Sequence, residues 1–406
     1  MAKLRILITL TLAALIVFAA ALPATAQEGK EATNGNAVKT IYVDDDFTDE
    51  PANHKWDTIQ EGIDDSSDGD TIIVYAGTYD GFTIENRNDL SVNGQGGVTV
   101  SSANVFTNGG EWWVMAFVMN CTDIDIEDIV FDGEEIEVGM LEGVTYGDST
   151  GSISGGAVRN IVGSEMAFGI GIWGGEEGST AVDISRLTVE NCAMGVMVSN
   201  AEANLGRCSI KGMAQYGGYG IMAIDNAQVT MENCEICDCW KENPGYGESG
   251  IGVMIALPEE HEAIYGIVDE RPCTVEITGS TLGDNNGGIC VYDDGNLTAN
   301  FNNIAGNDLL GLYNSAMEEV DATNNWWGDA SGPHHPTTNP SGIGNEVSDN
   351  VDFVPWLDSP PWDPWAYDEN SDGDIQKTEA IHAVMDYFSL KITKAQAIEV
   401  IMLYFG

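Results

Sequence analysis

Val182-Asp-Ile-Ser-Arg-Leu-Thr-Val-Glu-Asn-Cys192 is one copy of a unit that recurs along the middle of the chain. Further copies start at Ile124, Gly155, Ala203, Val229, Val275, Leu297 and Val320. Apolar or small side chains recur two, five and seven positions into most copies, as Ile184, Leu187 and Val189 do here. A second apolar run that begins with glycine follows most copies, for example Gly195-Val-Met-Val. This pattern indicates short strands that alternate inward apolar and outward polar residues.

The spacing of the copies predicts how these strands are arranged. Most copies start at the short intervals that one coil of a solenoid requires, and the long interval between Val229 and Val275 indicates a loop insertion. One coil cannot bury its inward face alone, so coils must stack and form continuous parallel sheets. An antiparallel sandwich would not keep this register over so many copies. We therefore predict a mainly β protein, a parallel β-helix over residues 40–358.

Polar residues occupy one inward position near the end of this solenoid. Asn302 and Asn325 stand five places into their copies, where stacked amides would satisfy each other's hydrogen bonds. Cys208 and Cys234 stand at the same place in earlier copies, on neighbouring coils. Their spacing allows either a disulfide or two stacked thiols.

The open ends of a solenoid are strand edges that need covering. Trp56, Ile59 and Ile63 lie at helical spacing, which predicts an N-terminal capping helix before a strand that begins at Thr71. At the other end, Asn324-Asn-Trp-Trp-Gly328 leads towards Val354-Pro-Trp-Leu357 and is expected to close the last coil.

Charge and the N-terminal sequence predict where the protein works. The 406 residues carry a formal net charge of -50, from 65 acidic and 15 basic side chains. Such a surface repels nucleic acid and anionic membranes and suits divalent cations.

Residues 1–26, with an apolar run over Ile6–Leu22 and Ala24-Thr-Ala26 after it, have the layout of a secretory signal peptide; an uncleaved anchor is the alternative. We expect a secreted, extracellular protein with a flexible segment over residues 27–39 and no transmembrane segment in the mature chain.

A calcium loop follows a Trp- and Pro-rich linker over residues 359–366. The stretch Asp368-Glu-Asn-Ser-Asp-Gly-Asp-Ile-Gln-Lys-Thr-Glu379 fits the EF-hand pattern in full. The expected Ca²⁺ ligands are Asp368, Asn370, Asp372, Asp374, Gln376 and Glu379. Asp374 would use its backbone carbonyl, Gln376 a water molecule and Glu379 both carboxylate oxygens. An acidic turn that binds no calcium is the alternative.

The sequence around this loop is duplicated. Ile375–Phe388 and Ile392–Phe405 carry Ala, Ile, Met, Tyr and Phe at matching positions, which predicts two short amphipathic helices within residues 367–406. The second copy has Gln396 where the first has Glu379, and it lacks the other calcium ligands. A single ion is therefore expected.

These motifs resemble two known families. Ile41-Tyr-Val-Asp-Asp-Asp46, Gly77-Thr-Tyr79 and the Asn324–Gly328 motif resemble secreted proteins of the pectin-lyase-like superfamily, over roughly residues 40–358. That resemblance implies a right-handed parallel β-helix, while the superfamily's activities range from lyases and hydrolases to adhesins. The duplicated unit resembles a dockerin, the module that attaches secreted proteins to cohesin-bearing scaffolds, although it has one calcium loop instead of two. A calcium-stabilised cap or surface anchor is the alternative.

Few cations stand on the β-helix, so their positions are informative. Arg159, Arg186 and Arg207 each fall four places into their copies, and stacked coils would bring them about 4.8 Å apart. Either they hold a carboxylated or sulfated glycan, or they pair with surface acids. Trp240 is an aromatic candidate for stacking on a sugar ring.

The function that we expect is an extracellular, carbohydrate-associated β-helix surface protein with a calcium-dependent, dockerin-like anchoring or assembly module. Its partners would be a polysaccharide or surface glycan and a cohesin-like scaffold protein, and no nucleic acid. A polysaccharide lyase or glycoside hydrolase that acts on an acidic glycan is one alternative, and a purely structural cell-surface protein is another. The outward positions of adjacent copies show no trio of carboxylates, so no catalytic residue is assigned.

Overall fold

The structure is a computed structural model, which describes residues 38–107, 111–134, 136, 138, 140–162, 167–175, 180–213, 218–239, 250–256, 271–292, 295–369 and 374–405. The predicted signal peptide, residues 27–37, Trp240, Asn370 and Asp372 lie outside these residues.

Two long sheets wind around one core in the described part of the chain. The strands of the first sheet, sheet A, are β1 (Thr40–Val43), β2 (Lys55–Trp56), β3 (Thr71–Tyr79), β5 (Asn88–Val100), β8 (Thr122–Asp132), β10 (Thr150–Ser154), β11 (Ala157–Arg159), β13 (Ala181–Ser185), β14 (Thr188–Glu190), β16 (Glu202–Gly206), β17 (Ser209–Lys211), β19 (Gln228–Glu232), β20 (Glu235–Cys237), β22 (Thr274–Thr278), β23 (Thr281–Gly283), β25 (Asn296–Asn300), β26 (Asn303–Ala305), β28 (Val320–Asp321) and β31 (Val351–Asp352). The strands of the second sheet, sheet B, are β4 (Phe82–Glu85), β6 (Asn104–Thr107), β7 (Glu111–Met119), β9 (Leu141–Gly147), β12 (Phe168–Trp173), β15 (Met194–Ser199), β18 (Ile221–Ile224), β21 (Ile251–Ile255), β24 (Gly287–Val291) and β27 (Leu310–Asn314). A small separate sheet pairs β29 (Pro333–His334) with β30 (Gly344–Glu346). Apart from the antiparallel pairing of β6 with β7, neighbouring strands of the two long sheets are parallel, which confirms the predicted mainly β solenoid.

The register of sheet A confirms most of the repeat copies. Val182 pairs with Ala203, Ala203 with Val229, Val229 with Val275 and Val275 with Leu297. The inward side chains predicted from these copies are buried in a single core between the sheets, because stacked coils bury their inward faces together.

One copy starts elsewhere than the sequence indicated. Gly151 pairs with both Ile124 and Val182, so this copy begins at Gly151 and the predicted start at Gly155 is wrong. Gly155 instead has a φ of 65° and lies at the bend between β10 and β11, where a left-handed backbone favours glycine. Arg159 is therefore displaced relative to the other two arginines.

A ladder of buried polar side chains runs along the next bend position. Each side-chain acceptor receives a backbone N–H from the preceding coil: Cys208 N–H to Cys234 Sγ (3.5 Å), Cys234 N–H to Ser280 Oγ (3.0 Å), Ser280 N–H to Asn302 Oδ1 (2.9 Å) and Asn302 N–H to Asn325 Oδ1 (2.8 Å). The predicted contact between Asn302 and Asn325 is present, but it joins an amide to the backbone. Cys208 and Cys234 are stacked thiols.

Three α-helices lie in the described part of the chain, α1 (Ile59–Asp65), α2 (Lys377–Phe388) and α3 (Lys394–Phe405), with 3₁₀ turns at Pro51–Asn53 and Pro364–Tyr367. The Thr58 hydroxyl accepts the Glu61 N–H and starts α1, whose buried Ile59 and Ile63 pack on the core. Trp56 lies in β2, where it pairs with Val43 of β1, so its predicted place in this helix is wrong. The capping role of α1 stays a prediction.

The two C-terminal helices form a small unit with its own apolar cluster. Ala380, Ala383 and Val400 are buried there, and Trp362, Trp365 and other aromatic and aliphatic residues pack against them. Among the described residues, no helix combines the length and the apolar character that a membrane crossing requires.

Candidate functional site

The predicted calcium loop meets α2 at Glu379. This carboxylate is only 4% exposed, and it accepts the backbone N–H of Glu369 on Oε1 (2.9 Å) and that of Gln376 on Oε2 (2.8 Å). Both oxygens are thus bonded to backbone N–H groups at the two described ends of the predicted loop, and the bond to Gln376 is half of a capping box at the start of α2. Asp368, Asp374, Gln376 and Glu379 offer oxygen donors alone, which fits a hard cation such as Ca²⁺. The two remaining predicted ligands, Asn370 and Asp372, lie outside the described residues.

The duplicated helices present apolar side chains to solvent at matching positions. The exposed fractions are 46% for both Ile381 and Ile398, 61% and 63% for Met385 and Met402, and 76% for both Phe388 and Phe405. We call these six residues the duplicated apolar face. Monomeric soluble proteins seldom leave such side chains clustered in water, so this face is a candidate interaction surface.

Arg159 is paired with acids. Its Nε lies 2.8 Å from Asp132 Oδ2, and its register partner on the other side is Glu190, which in turn faces Lys211 at 3.9 Å. The column therefore alternates acid and base along four consecutive coils. This arrangement agrees with the interpretation that surface acids neutralise the arginine.

Arg186 and Arg207 do stack on neighbouring coils. They follow paired residues of β13 and β16 and lie at bends with φ of 52° and 56°. The Arg207 guanidinium stacks on the Trp365 ring, 4.4 Å from its centroid. Arg186 has no side-chain hydrogen bond or ion pair with the residues that the structure describes. The three predicted arginines thus face three different environments and do not form one anion site.

The outer face of sheet B is a second buried apolar layer that the sequence did not reveal as a site. Consecutive strands place Thr145, Gly171, Met197, Met222 and Met254 in one row. These positions are buried, and aromatic side chains including Phe168 and Trp173 pack beside them. An outward face covered in this way resembles protein interior more than solvent-facing sheet.

Glu142 is the one carboxyl among the buried residues of this layer that the structure describes. It is fully buried, and it pairs in register with Phe168 of β12. Burial raises the pKa of Glu142 to about 7, and the facing Thr145 hydroxyl and Trp112 indole offset part of this effect. The Thr145 hydroxyl donates to Oε2 at 2.5 Å. A charged residue at a strand position that is apolar in the following coils was the signal available in the sequence.

Two polar atoms near this carboxyl are buried without a hydrogen-bond partner, Glu142 Oε1 and Trp173 Nε1. Both side chains border Gly171, where a Cβ would lie 2.5 Å from Trp173 Nε1 and 3.3 Å from Glu142 Oε2. Because Gly171 has no side chain, the Trp173 indole and the Glu142 carboxyl fill the space beside it. Buried polar groups are nearly always satisfied, so this pair is an energetic cost of burying Glu142, and the same condition occurs elsewhere in the described residues at Arg87 Nε and Asn303 Oδ1.

Comparison with known proteins extends these observations. A family model described as a right-handed β-helix region matches residues 168–326. Similar solved structures include Geobacillus virus E2 ORF18 (13% identity, 77% of this chain and 62% of that chain, TM-score 0.36), the pectate lyase Pel9A (13%, 81% and 82%, 0.37) and the catalytic unit of the GH87 α-1,3-glucanase from Streptomyces thermodiastaticus strain HF3-3 (12%, 82% and 72%, 0.33). The chain thus spans 62% of the length of the viral protein. No curated protein matches the sequence. The family match, together with the parallel strand pairing, confirms a right-handed parallel β-helix over the middle of the chain.

Proposed function

We propose that the protein is an extracellular, carbohydrate-associated β-helix surface protein that is anchored or assembled through its C-terminal two-helix unit, as a dockerin would be. The observation that carries the anchoring role is the duplicated apolar face. The two copies expose the same residue types to the same extent, while the opposite sides of α2 and α3 are buried. A sequence under pressure only for solubility would place polar side chains at these six positions.

Calcium would act on the same unit. The predicted ligands run from Asp368 to Glu379, and Glu379 lies in the first turn of α2. A bound Ca²⁺ supplies a fixed positive centre for these oxygens. Because Glu379 belongs to both the loop and the helix, binding would fix the direction in which α2 leaves the loop. The orientation of α2 sets the relative positions of Met385 and Met402, so calcium is expected to control docking.

Surface plasmon resonance on immobilised cohesin modules tests this proposal. The mature chain, Gln27 onward, is applied in Ca²⁺ and again in EDTA, beside the double variant Phe388→Ser/Phe405→Ser. We expect binding in Ca²⁺ that is lost in EDTA and in the double variant. Phe301→Ser is the matched control, since Phe301 is 52% exposed but lies on the β-helix. Binding by the double variant at full strength would exclude the apolar face as the docking surface.

A glycoside hydrolase is the second candidate function, and Glu142 is the observation that favours it. Burial raises the pKa of Glu142 to about 7, which keeps the carboxyl protonated at mildly acidic pH as a general acid must be, but the side chain is fully buried and touches no solvent. A lyase that acts on acidic glycans has less support, because Arg159 is paired with Asp132 and Arg207 is stacked on Trp365. Release of reducing ends that disappears in Glu142→Gln would establish the hydrolase, and unsaturated products would establish the lyase.

A further inference from the structure

A cleft lies at the starts of three neighbouring strands of sheet A, β13, β16 and β19. Its volume is about 190 Å³, the share of roughly six molecules of liquid water. Ala181, Glu202 and Gln228 pair in register there, on the outward side of strands whose next residues are buried in the core. Because Ala181 has a small side chain, the cleft is open beside its two longer neighbours. One sugar ring can enter this space.

Buried polar side chains fix the floor of the cleft. Asn200 is almost fully buried, and its Nδ2 donates to Gly174 O at 3.1 Å while its Oδ1 accepts from Asn226 Nδ2 at 3.2 Å. The Thr180 hydroxyl, also buried, donates to the Trp173 carbonyl at 3.0 Å. These hydrogen bonds join residues of three coils. The cleft is therefore shaped before a ligand enters, which lowers the entropic cost of binding.

The mouth of the cleft presents hydrogen-bonding groups to solvent. Glu202 and Gln228 are both exposed. A carboxamide offers donors beside an acceptor, and a carboxylate offers acceptors alone. Sugar hydroxyls both donate and accept, so a neighbouring pair of hydroxyls matches these two side chains. Asn204 Nδ2 donates to Glu202 Oε1 at 3.3 Å and to Asp183 Oδ1 at 3.0 Å, which restrains the Glu202 carboxylate.

We propose that Glu202 and Gln228 form a subsite for one ring of an uncharged saccharide in this cleft. The inference rests on the proposed carbohydrate function, and it names the substrate class and the place where it binds. One hydroxyl of the sugar bonds to the Gln228 carboxamide, and its neighbour donates to the Glu202 carboxylate. The methyl groups of Ala181 and Ala201, which line the same cleft, lie against the apolar C–H groups of the ring.

The charges at the cleft favour an uncharged sugar over an acidic one. Among the described residues that line it, Glu202 is the one ionisable side chain. Arg271 accepts the Asn226 N–H on its backbone carbonyl, but its guanidinium is paired with Asp225 at 2.9 Å. A uronate or a sulfate would therefore meet the Glu202 carboxylate without a cation to offset the repulsion.

Calorimetric titration of the chain from Gln27 onward in Ca²⁺ tests the inference. The probes are cellohexaose, xylohexaose, mannohexaose and laminarihexaose, with hexagalacturonate and hexaglucosamine as the acidic and basic comparators. Ala181→Leu fills the cleft, and Gln228→Ala removes the carboxamide. We expect one neutral hexasaccharide to bind, Ala181→Leu to abolish its binding, and Gln228→Ala to weaken it by about 5- to 10-fold, the effect of one hydrogen bond.

Matched controls lie on the same sheet outside the cleft. Asn296→Ala, in the row of Gln228 but two coils further on, and Thr298→Leu, at an exposed outward position of β25, should both bind like the wild type. Glu202→Gln adds a readout of charge, since it removes the repulsion and should narrow the preference for the neutral hexamer over hexagalacturonate. Urea unfolding of each variant shows whether it is folded.

Two results overturn the inference and leave the carbohydrate function standing. One is wild-type affinity in both Ala181→Leu and Gln228→Ala, and the other is tighter binding of either charged hexamer by the wild type. Equal losses in the two control variants would likewise place the sugar elsewhere. If no hexamer binds but the chain is retained on a polysaccharide column, the subsite alone is wrong; if retention also fails, both the subsite and the carbohydrate function are wrong.

Discussion

Replacing Glu142 with glutamine isolates the energetic effect of one buried carboxyl. Burial raises the pKa of Glu142 from its ordinary value of 4.5 to about 7. Between these two values the folded chain keeps the proton and the unfolded chain releases it, so stability falls as the pH rises. A shift of this size corresponds to about 3 kcal/mol at 1.36 kcal/mol for each pKa unit. This contribution of Glu142 to the free energy of unfolding is fully present below about pH 4.5 and is lost above about pH 7.

The glutamine side chain has nearly the same shape and remains neutral at every pH. Glu142→Gln should therefore gain stability relative to the wild type as the pH rises from 4.5 to 8, by up to about 3 kcal/mol. Urea unfolding followed by tryptophan fluorescence at a series of pH values measures the difference. Glu276→Gln, at an exposed position of β22, is the matched control and should show no such trend. A pH-independent difference between wild type and Glu142→Gln would refute the assignment of a buried, mostly protonated carboxyl.

Three further predictions concern other parts of the molecule. Glu379→Gln should weaken Ca²⁺ binding by about tenfold or more in calorimetry, whereas Gln396→Ala, in the copy without ligands, should leave it unchanged; equal affinities would place the ion elsewhere. Arg207→Ala should remove about 1 kcal/mol of stacking energy with Trp365 and speed proteolysis of residues 359–366. Arg186→Ala should leave the cleavage rate unchanged. Equal cleavage of the two variants would show that the stacking does not restrain this segment. Asn302→Ala should cost about 2–4 kcal/mol in urea unfolding, because the Ser280 N–H and the Ile277 carbonyl lose their partner; a cost as small as that of the exposed Asn296→Ala would contradict the ladder.

The repeat was predictable where apolar periodicity and glycine agree. The copies from Val182 to Leu297 keep one register, because each must bury the same inward positions. The predicted start of one copy at Gly155 was wrong, because two consecutive glycines at a bend resemble the start of a strand. Trp56 misled because apolar spacing alone does not show that Thr58 begins the helix.

The candidate sites were less predictable, since they depend on tertiary packing. The calcium loop could be predicted because all its expected ligands lie within one short segment, and the ion itself stays a prediction. Glu142 was not singled out among 65 acidic residues, although its strand position is apolar in the following coils; its raised pKa comes mainly from burial, which the sequence does not show. Arg159 shows the opposite case, in which an error of four residues in one copy created an apparent column.

Retention on polysaccharide tests the proposed carbohydrate association most directly. The chain from Gln27 onward is passed in Ca²⁺ over a panel of neutral polysaccharides and polyuronates, and reducing ends and unsaturated products are followed in parallel. We expect retention on a neutral polysaccharide with no unsaturated product. Passage through every column without retention or product would contradict a carbohydrate-associated function and favour a purely structural surface protein.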